Sequence, residues 1–144
     1  MTLSKSTLFI SIMLLNTSFW QLSAQTTKTL GKTHEKLIKK GKIEELKIVI
    51  QEDGILNSTF KDGTTLLHHA VINSNLEITK LLIEAGADLD IVDKDSWTAL
   101  SYGCILHINN EILEVLISNN ANPNLAGPRG ASPLRAMMGL SDPL

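Results

Sequence analysis

Asp62–Asp90 reads DGTTLLHHAVINSNLEITKLLIEAGADLD, and Asp95–Asn124 reads DSWTALSYGCILHINNEILEVLISNNANPN. The second stretch is a worn copy of the first. Thr65 and Thr98 stand 33 residues apart, as do Leu67 and Leu100, and Ala70 and Gly103; Ser132 follows Thr98 by 34. A fixed period in this range is the signature of a stacked repeat architecture. In the better copy Ile78, Leu81, Leu82 and Ala85 recur at helical spacing, which predicts one apolar face. Ala70, Val71 and Ile72 predict a preceding short helix, with Ser74-Asn75 as a polar break between the two. Gly86 stands where a helix end needs a left-handed residue. A pair of helices this short cannot close its own core, so the next pair must cover it. The expected fold class is all-α, a solenoid of stacked helix-turn-helix units.

The repeat resembles the ankyrin repeat. That family's unit opens on Gly-x-Thr-Pro-Leu-His-x-Ala, runs through two antiparallel helices and closes on Gly-Ala-Asp, an apolar residue and Asn. Gly63-Thr64-Thr65-Leu66-Leu67-His68-His69-Ala70 matches the opening, with Leu66 in the place of Pro, and Gly86-Ala87-Asp88-Leu89-Asp90 matches the close. The next copy, from Thr98 and Leu100 onward, has lost both Pro and His and carries one extra residue near Ile108–Asn110. Stepping back by one period, Gly41 falls on Ser74, Ile43 on Leu76 and Leu56-Asn57 on Leu89-Asp90, so Thr33–Asn57 reads as a divergent first repeat. Gly130-Ala131-Ser132-Pro133-Leu134 opens a partial copy. The expected organisation is a signal peptide at 1–24, a linker at 25–32 and repeats at about 33–59, 60–92, 93–126 and 127–144.

The resemblance implies that Gly63, Thr65, Leu67, His68, Ala70, Gly86, Thr98 and Leu100 serve the fold, His68 by hydrogen bonding near Thr65 to lock the turn. It also implies projecting loops, or fingers, between repeats and a concave side lined by the first helix of each pair. Those surfaces are where a partner is expected. The finger residues are Lys61, Asp62 and Thr64, then Lys94, Asp95 and Trp97, then Arg129; His69, Asn73 and Leu106 are the concave-side candidates. Trp97 is the anchor of choice. Its equivalent is Thr64, so the repeat itself does not need an aromatic there, and a partly exposed Trp near Ile105 and Leu106 would form an apolar patch.

The first residues are of a different kind. Lys5, the apolar run Thr7–Leu15 and the small residues Ser23-Ala24 have the order of a secretory signal. The run is shorter than the roughly 18–20 residues a spanning helix needs, so membrane association is expected only through an uncleaved signal. After cleavage 12 basic and 15 acidic residues leave a formal charge of −3, which does not favour nucleic acid. Lys36, Lys39, Lys40 and Lys42 cluster, but Glu35, Glu44 and Glu45 surround them, so a solvated face is expected. One cysteine, Cys104, excludes an internal disulfide, and it reads as a small buried side chain.

No Gly-rich phosphate loop, G-x-S-x-G or H-E-x-x-H occurs in the sequence. His68 and His69 are adjacent and diverge by about 100° on a helix, while His34 and His107 belong to other repeats, so no metal and no cofactor are expected. The expectation is a non-catalytic protein-binding module in the periplasm or outside the cell. Two alternatives are a periplasmic immunity or inhibitor protein for a toxin or enzyme, and an accessory factor in oxidative-stress defence using Cys104 or a histidine. The last copy is expected to hold one helix, leaving Leu134, Met137, Met138 and Leu140 without their usual cover, so the expectation is either a truncated chain or a face covered by another copy, as self-association, or by a partner.

Overall fold

The computed structural model describes residues 30–52 and 54–125, together with Gly127, Ser132, Pro133 and Arg135. The stretch expected to be a signal peptide, Arg129 and most of the expected fourth copy lie outside the described residues. Among the described residues the chain forms six α-helices and no strand. They are α1 (Lys32–Lys39), α2 (Ile43–Ile50), α3 (Leu66–Ile72), α4 (Leu76–Glu84), α5 (Ala99–Ile105) and α6 (Asn110–Ser118). They pair as α1/α2, α3/α4 and α5/α6, and the pairs stack in chain order, α3 between α1 and α5, and α4 between α2 and α6. The first helices pack together more closely than the second ones. This shortens the first-helix side of the stack and makes it the concave one. Among the described residues no helix is long and apolar enough to cross a membrane.

One core runs the length of the stack. Ile38, Val71 and Cys104 are buried at the same position of α1, α3 and α5, and Leu46, Leu82 and Leu116 are buried on α2, α4 and α6. The left-handed residues keep the same period. Gly41, Ser74 and His107 turn each pair with φ of 62°, 52° and 49°, and Gly63 and Ser96 shape successive fingers at 88° and 64°. Gly86 and Asn120 end the second helices at φ 88° and 68°. A left-handed residue strains any side chain by about 1–2 kcal/mol, so a single Ser or His here is tolerated because each tight turn lets the next helix start on the core. The extra residue of the third repeat is absorbed at this point: Ile108 is buried and Asn109 caps α6 by accepting from Glu111 N–H at 3.0 Å.

Three expectations change. Ala85 is exposed, because it sits at the end of α4 beyond the last full turn; Thr79 is buried in its stead, its hydroxyl donating to the Asn75 carbonyl at 2.8 Å. The stretch assigned to a linker reaches into the fold, since Lys32 begins α1 and Leu30 is buried against the core. Thr64 is buried as well, with a consequence for the finger described below.

Adjacent repeats are joined by hydrogen bonds that recur with the period. Asp88 N–H donates to Asn57 Oδ1, and Asn122 N–H to Asp90 Oδ1, each at 2.9 Å. Lys94 N–H donates to the Asp62 carbonyl at 3.0 Å, tying the third finger to the second. A Cβ placed on Gly63 would stand 2.7 Å from Lys94 N. Glycine is therefore required at Gly63 by close approach of backbone as well as by its φ.

Candidate functional site

Each finger is a tight hairpin-like turn before a first helix. In the second repeat Phe60 N–H donates to the Thr64 carbonyl at 2.8 Å; in the third Asp93 N–H donates to the Trp97 carbonyl at 3.0 Å. The helix that follows is capped from the finger. Thr65 Oγ1 accepts from His68 N–H, and His68 Nδ1 accepts from Thr65 N–H at 3.1 Å, so the two residues satisfy each other's free groups. His68 Nε2–H then donates to the Trp97 carbonyl at 3.0 Å. The imidazole therefore locks its own turn and holds the next finger. Burial keeps its pKa below the ordinary value, which favours the neutral ring that this one-donor, one-acceptor arrangement requires. In the third repeat Ser101 takes over only the local part: its N–H donates to Thr98 Oγ1 at 3.1 Å and its hydroxyl lies 2.9 Å from the same oxygen.

Thr64 cannot belong to a partner surface. Its hydroxyl donates to Asp62 Oδ1 at 2.6 Å and lies 3.1 Å from His69 Nε2. Having given its one proton to the carboxylate, it accepts from Nε2–H. The chain Asp62–Thr64–His69 thus fixes the second finger to α3. The Thr64 hydroxyl draws the Asp62 carboxyl below its usual pKa. His69 is half-buried against the Phe60 ring, edge to face at 4.5 Å. Burial depresses its pKa, and the nearby Glu35 and Asp62 carboxylates oppose that shift only in part. Between this finger and the start of α1 lies a cleft of about 410 Å³, lined by Leu30, Gly31, Lys32, Glu35, Phe60, Lys61, Asp62 and His69.

One period on, the same positions use different groups. Asp93 stands where Phe60 did and Tyr102 where His69 did. Tyr102 donates its phenol to Asp93 Oδ2 at 2.6 Å, while Asp93 Oδ1 accepts from Asp95 N–H at 2.9 Å and Trp97 N–H at 2.8 Å. Asp93 is buried, and these three donors satisfy it. Burial, then the Asp93 bond, push the Tyr102 phenol above its ordinary pKa. Neither Asp93, Tyr102, Phe60 nor Glu35 stands out in a single-residue reading. The signal was the paired exchange of Phe60/His69 for Asp93/Tyr102 across one period.

The remaining expected surface residues lie as follows. Lys61, Asp62, Lys94 and Asp95 are exposed on the two fingers, and Trp97 is half-buried with its backbone clamped by Asp93 and His68. Asn73 is exposed at the end of α3, its amide donating to the His69 carbonyl at 2.7 Å. Leu106 is 50% exposed and Ile105 42%. Cys104 is buried and its thiol pKa is raised by that burial, which holds it in the less nucleophilic protonated form. Among the described residues no three of His, Cys, Asp and Glu are grouped to hold a metal ion.

Comparison with known proteins matches the same stretch. A family model described as ankyrin repeats, in three copies, matches residues 35–126. The Notch-regulated ankyrin repeat-containing proteins of Xenopus tropicalis and Homo sapiens are each 33% identical over 84 residues, covering 56% of this chain and 74% of theirs. The ankyrin repeat, SAM and basic leucine zipper domain-containing protein 1 of Notamacropus eugenii is 30% identical over 112 residues, covering 75% of this chain and 23% of its own.

Proposed function

This chain belongs to the ankyrin-repeat family, and from that premise we propose that it is an exported, non-catalytic protein-binding module working through its fingers and concave face. Ankyrin repeats generally mediate protein–protein interaction. The observation that carries the reading to a particular surface is the change of residue type between equivalent positions. Thr64 becomes Trp97, and Asn73 becomes Leu106. The second repeat folds without apolar side chains at those places, so the packing of the stack does not call for them. Ile105 and Leu106 remain largely open to solvent. An apolar side chain kept exposed where the second repeat holds an exposed polar one, as Leu106 replaces Asn73, is the usual material of an interface core. Lys94 and Asp95 stand beside Trp97 on the third finger and supply its polar rim.

The reading of export to the periplasm or outside the cell is supported by Lys5, the Thr7–Leu15 run and the small residues Ser23-Ala24, which have the order of a secretory signal. Intact mass of the purified product is expected to correspond to a chain starting at Gln25; a product retaining Met1 and the apolar run would count against export. For binding, full-length protein is crosslinked in an envelope extract beside Leu106→Asn and Trp97→Ala. Wild type is expected to recover a discrete partner, with recovery reduced about tenfold or more in either variant, as for loss of an interface anchor. Equal recovery by all three proteins would remove this face from the function. The redox alternative is disfavoured by the burial and raised pKa of Cys104.

A further inference from the structure

The concave face changes character along the stack, and the register makes the change readable. Ile38, Val71 and Cys104 are equivalent buried positions, and Gly41, Ser74 and His107 equivalent turns. Counting from them, the outward positions of α3 are His69, Ile72 and Asn73. On α1 the same positions are Lys36, Lys39 and Lys40, all exposed. On α5 and its end they are Tyr102, Ile105 and Leu106, the last two largely exposed. The face therefore runs from basic over the first repeat, through mixed over the second, to apolar over the third, with half-buried Trp97 on the finger that precedes α5. Lys39 is spent on Glu35 at 2.6 Å, whereas Lys36 and Lys40 pair with no described carboxylate. On sequence alone these lysines read as a solvated face balanced by glutamates. In the fold Glu44 and Glu45 lie on α2, in the other helix layer, and leave Lys36 and Lys40 without a paired carboxylate among the described residues.

From this gradient, and resting on the reading of the concave face as the binding surface, we infer that the partner presents a linear segment with carboxylates at one end and bulky apolar side chains at the other. The acidic end lies over α1 and the apolar end over α5 and the third finger. Helices packed at about 8–10 Å put α1 and α5 roughly 20 Å apart, a distance spanned by about six extended residues. Like-charged or reversed segments meet lysine against lysine or bury carboxylates on Ile105 and Leu106, so the gradient sets direction as well as choice.

The probes are two fluorescent peptides of about seven residues and identical composition, one with its glutamates and leucines segregated, the other with them interleaved. They are titrated into the full chain. The segregated peptide is expected to bind about tenfold more tightly and to weaken with salt. Lys36→Glu with Lys40→Glu is expected to weaken it by about tenfold or more, while a version with lysines for glutamates regains binding to that variant. Leu106→Asn is expected to weaken it without altering the salt dependence. Because Lys36, Lys40 and Leu106 are exposed, these variants should keep the helical circular dichroism of the parent. Equal binding of the two peptides, no response to charge reversal, or no binding at millimolar peptide overturns the inference. If a cellular partner still crosslinks through Trp97 and Leu106, only the gradient has failed. If nothing crosslinks there, the binding reading itself has failed.

Discussion

The second and third fingers have the same backbone and opposite chemistry. In the second, an aromatic edge contact joins Phe60 to His69, and the polar work is done by Asp62 and Thr64 one step further along. In the third, Asp93 replaces Phe60, Tyr102 replaces His69, and one buried carboxylate gathers three donors. Each solution is complete in itself, and neither half of one would serve the other. A carboxylate at the Phe60 site would lack the phenol donor and face a His69 already given to Thr64, and a phenylalanine at Asp93 would take the acceptor from the Tyr102 hydroxyl and two backbone N–H groups. What looks like decay of the repeat is a coordinated exchange. It releases the third finger's outer position, where Thr64 is consumed but Trp97 is half-exposed.

The sharpest way to break the comparison is at the left-handed position the two fingers share. Gly63→Ala adds a Cβ that meets Lys94 backbone at 2.7 Å with φ at 88°. Clash and strain together should cost about 3 kcal/mol or more, seen as a lower urea midpoint with unchanged slope. Ser96→Gly, at φ 64°, should move stability by less than about 1 kcal/mol, since it exchanges strain relief for chain entropy. A similar loss in both would show that finger-to-finger contact at Gly63 is unimportant.

A smaller effect tests whether the third finger is one unit. Asp93→Ala should cost about 2–3 kcal/mol by leaving its donors unpaired. Tyr102→Phe alone should cost about 1 kcal/mol. In the Asp93→Ala background, Tyr102→Phe should cost almost nothing, because its acceptor is already gone. Additive losses would mean that the Tyr102–Asp93 bond does not couple them.

The smallest effect is a difference in pH response. His68 and His69 have folded pKa values below 6.5. Below that pH the unfolded chain takes up protons first, so stability is complete above it and declines as pH falls toward the folded values. Tyr102 is shifted upward from 10.0, so above pH 10 the unfolded chain loses its proton first and stability falls again. His69→Phe should soften the acid limb alone and Tyr102→Phe the alkaline limb alone, read as urea midpoints across pH. Each variant flattening the opposite limb would invert the assignment.

The period made the all-α stack legible because a stacked repeat must return the same buried residues to the same depth. Thr65, Leu67 and Ala70 are of this kind, and exposed Gly86 recurs for a different reason, the left-handed end of α4 at φ 88°. His68 was legible in part: its bond to Thr65 is local, whereas its bond to the Trp97 carbonyl depends on where the next repeat docks. Thr64 reads as surface in the sequence but is buried in the fold for a similar reason. A short polar residue on a finger is ordinarily solvated, and only the folded turn brings Asp62 and His69 to either side of it.

The sequence by itself determined the repeating unit, its turns and the positions where one copy departs from the next, since these depend on local spacing and on residues a few places apart. Tertiary structure alone decided which departures compensate one another and which remain open to solvent. Asp93 with Tyr102 is silent until a turn of chain folds one over the other. Lys36 and Lys40 lose their glutamates only when α1 and α2 are assigned to opposite sides of the stack. Burial, pairing and charge balance depend on distance through space, and in this chain that distance is set by the packing of neighbouring repeats.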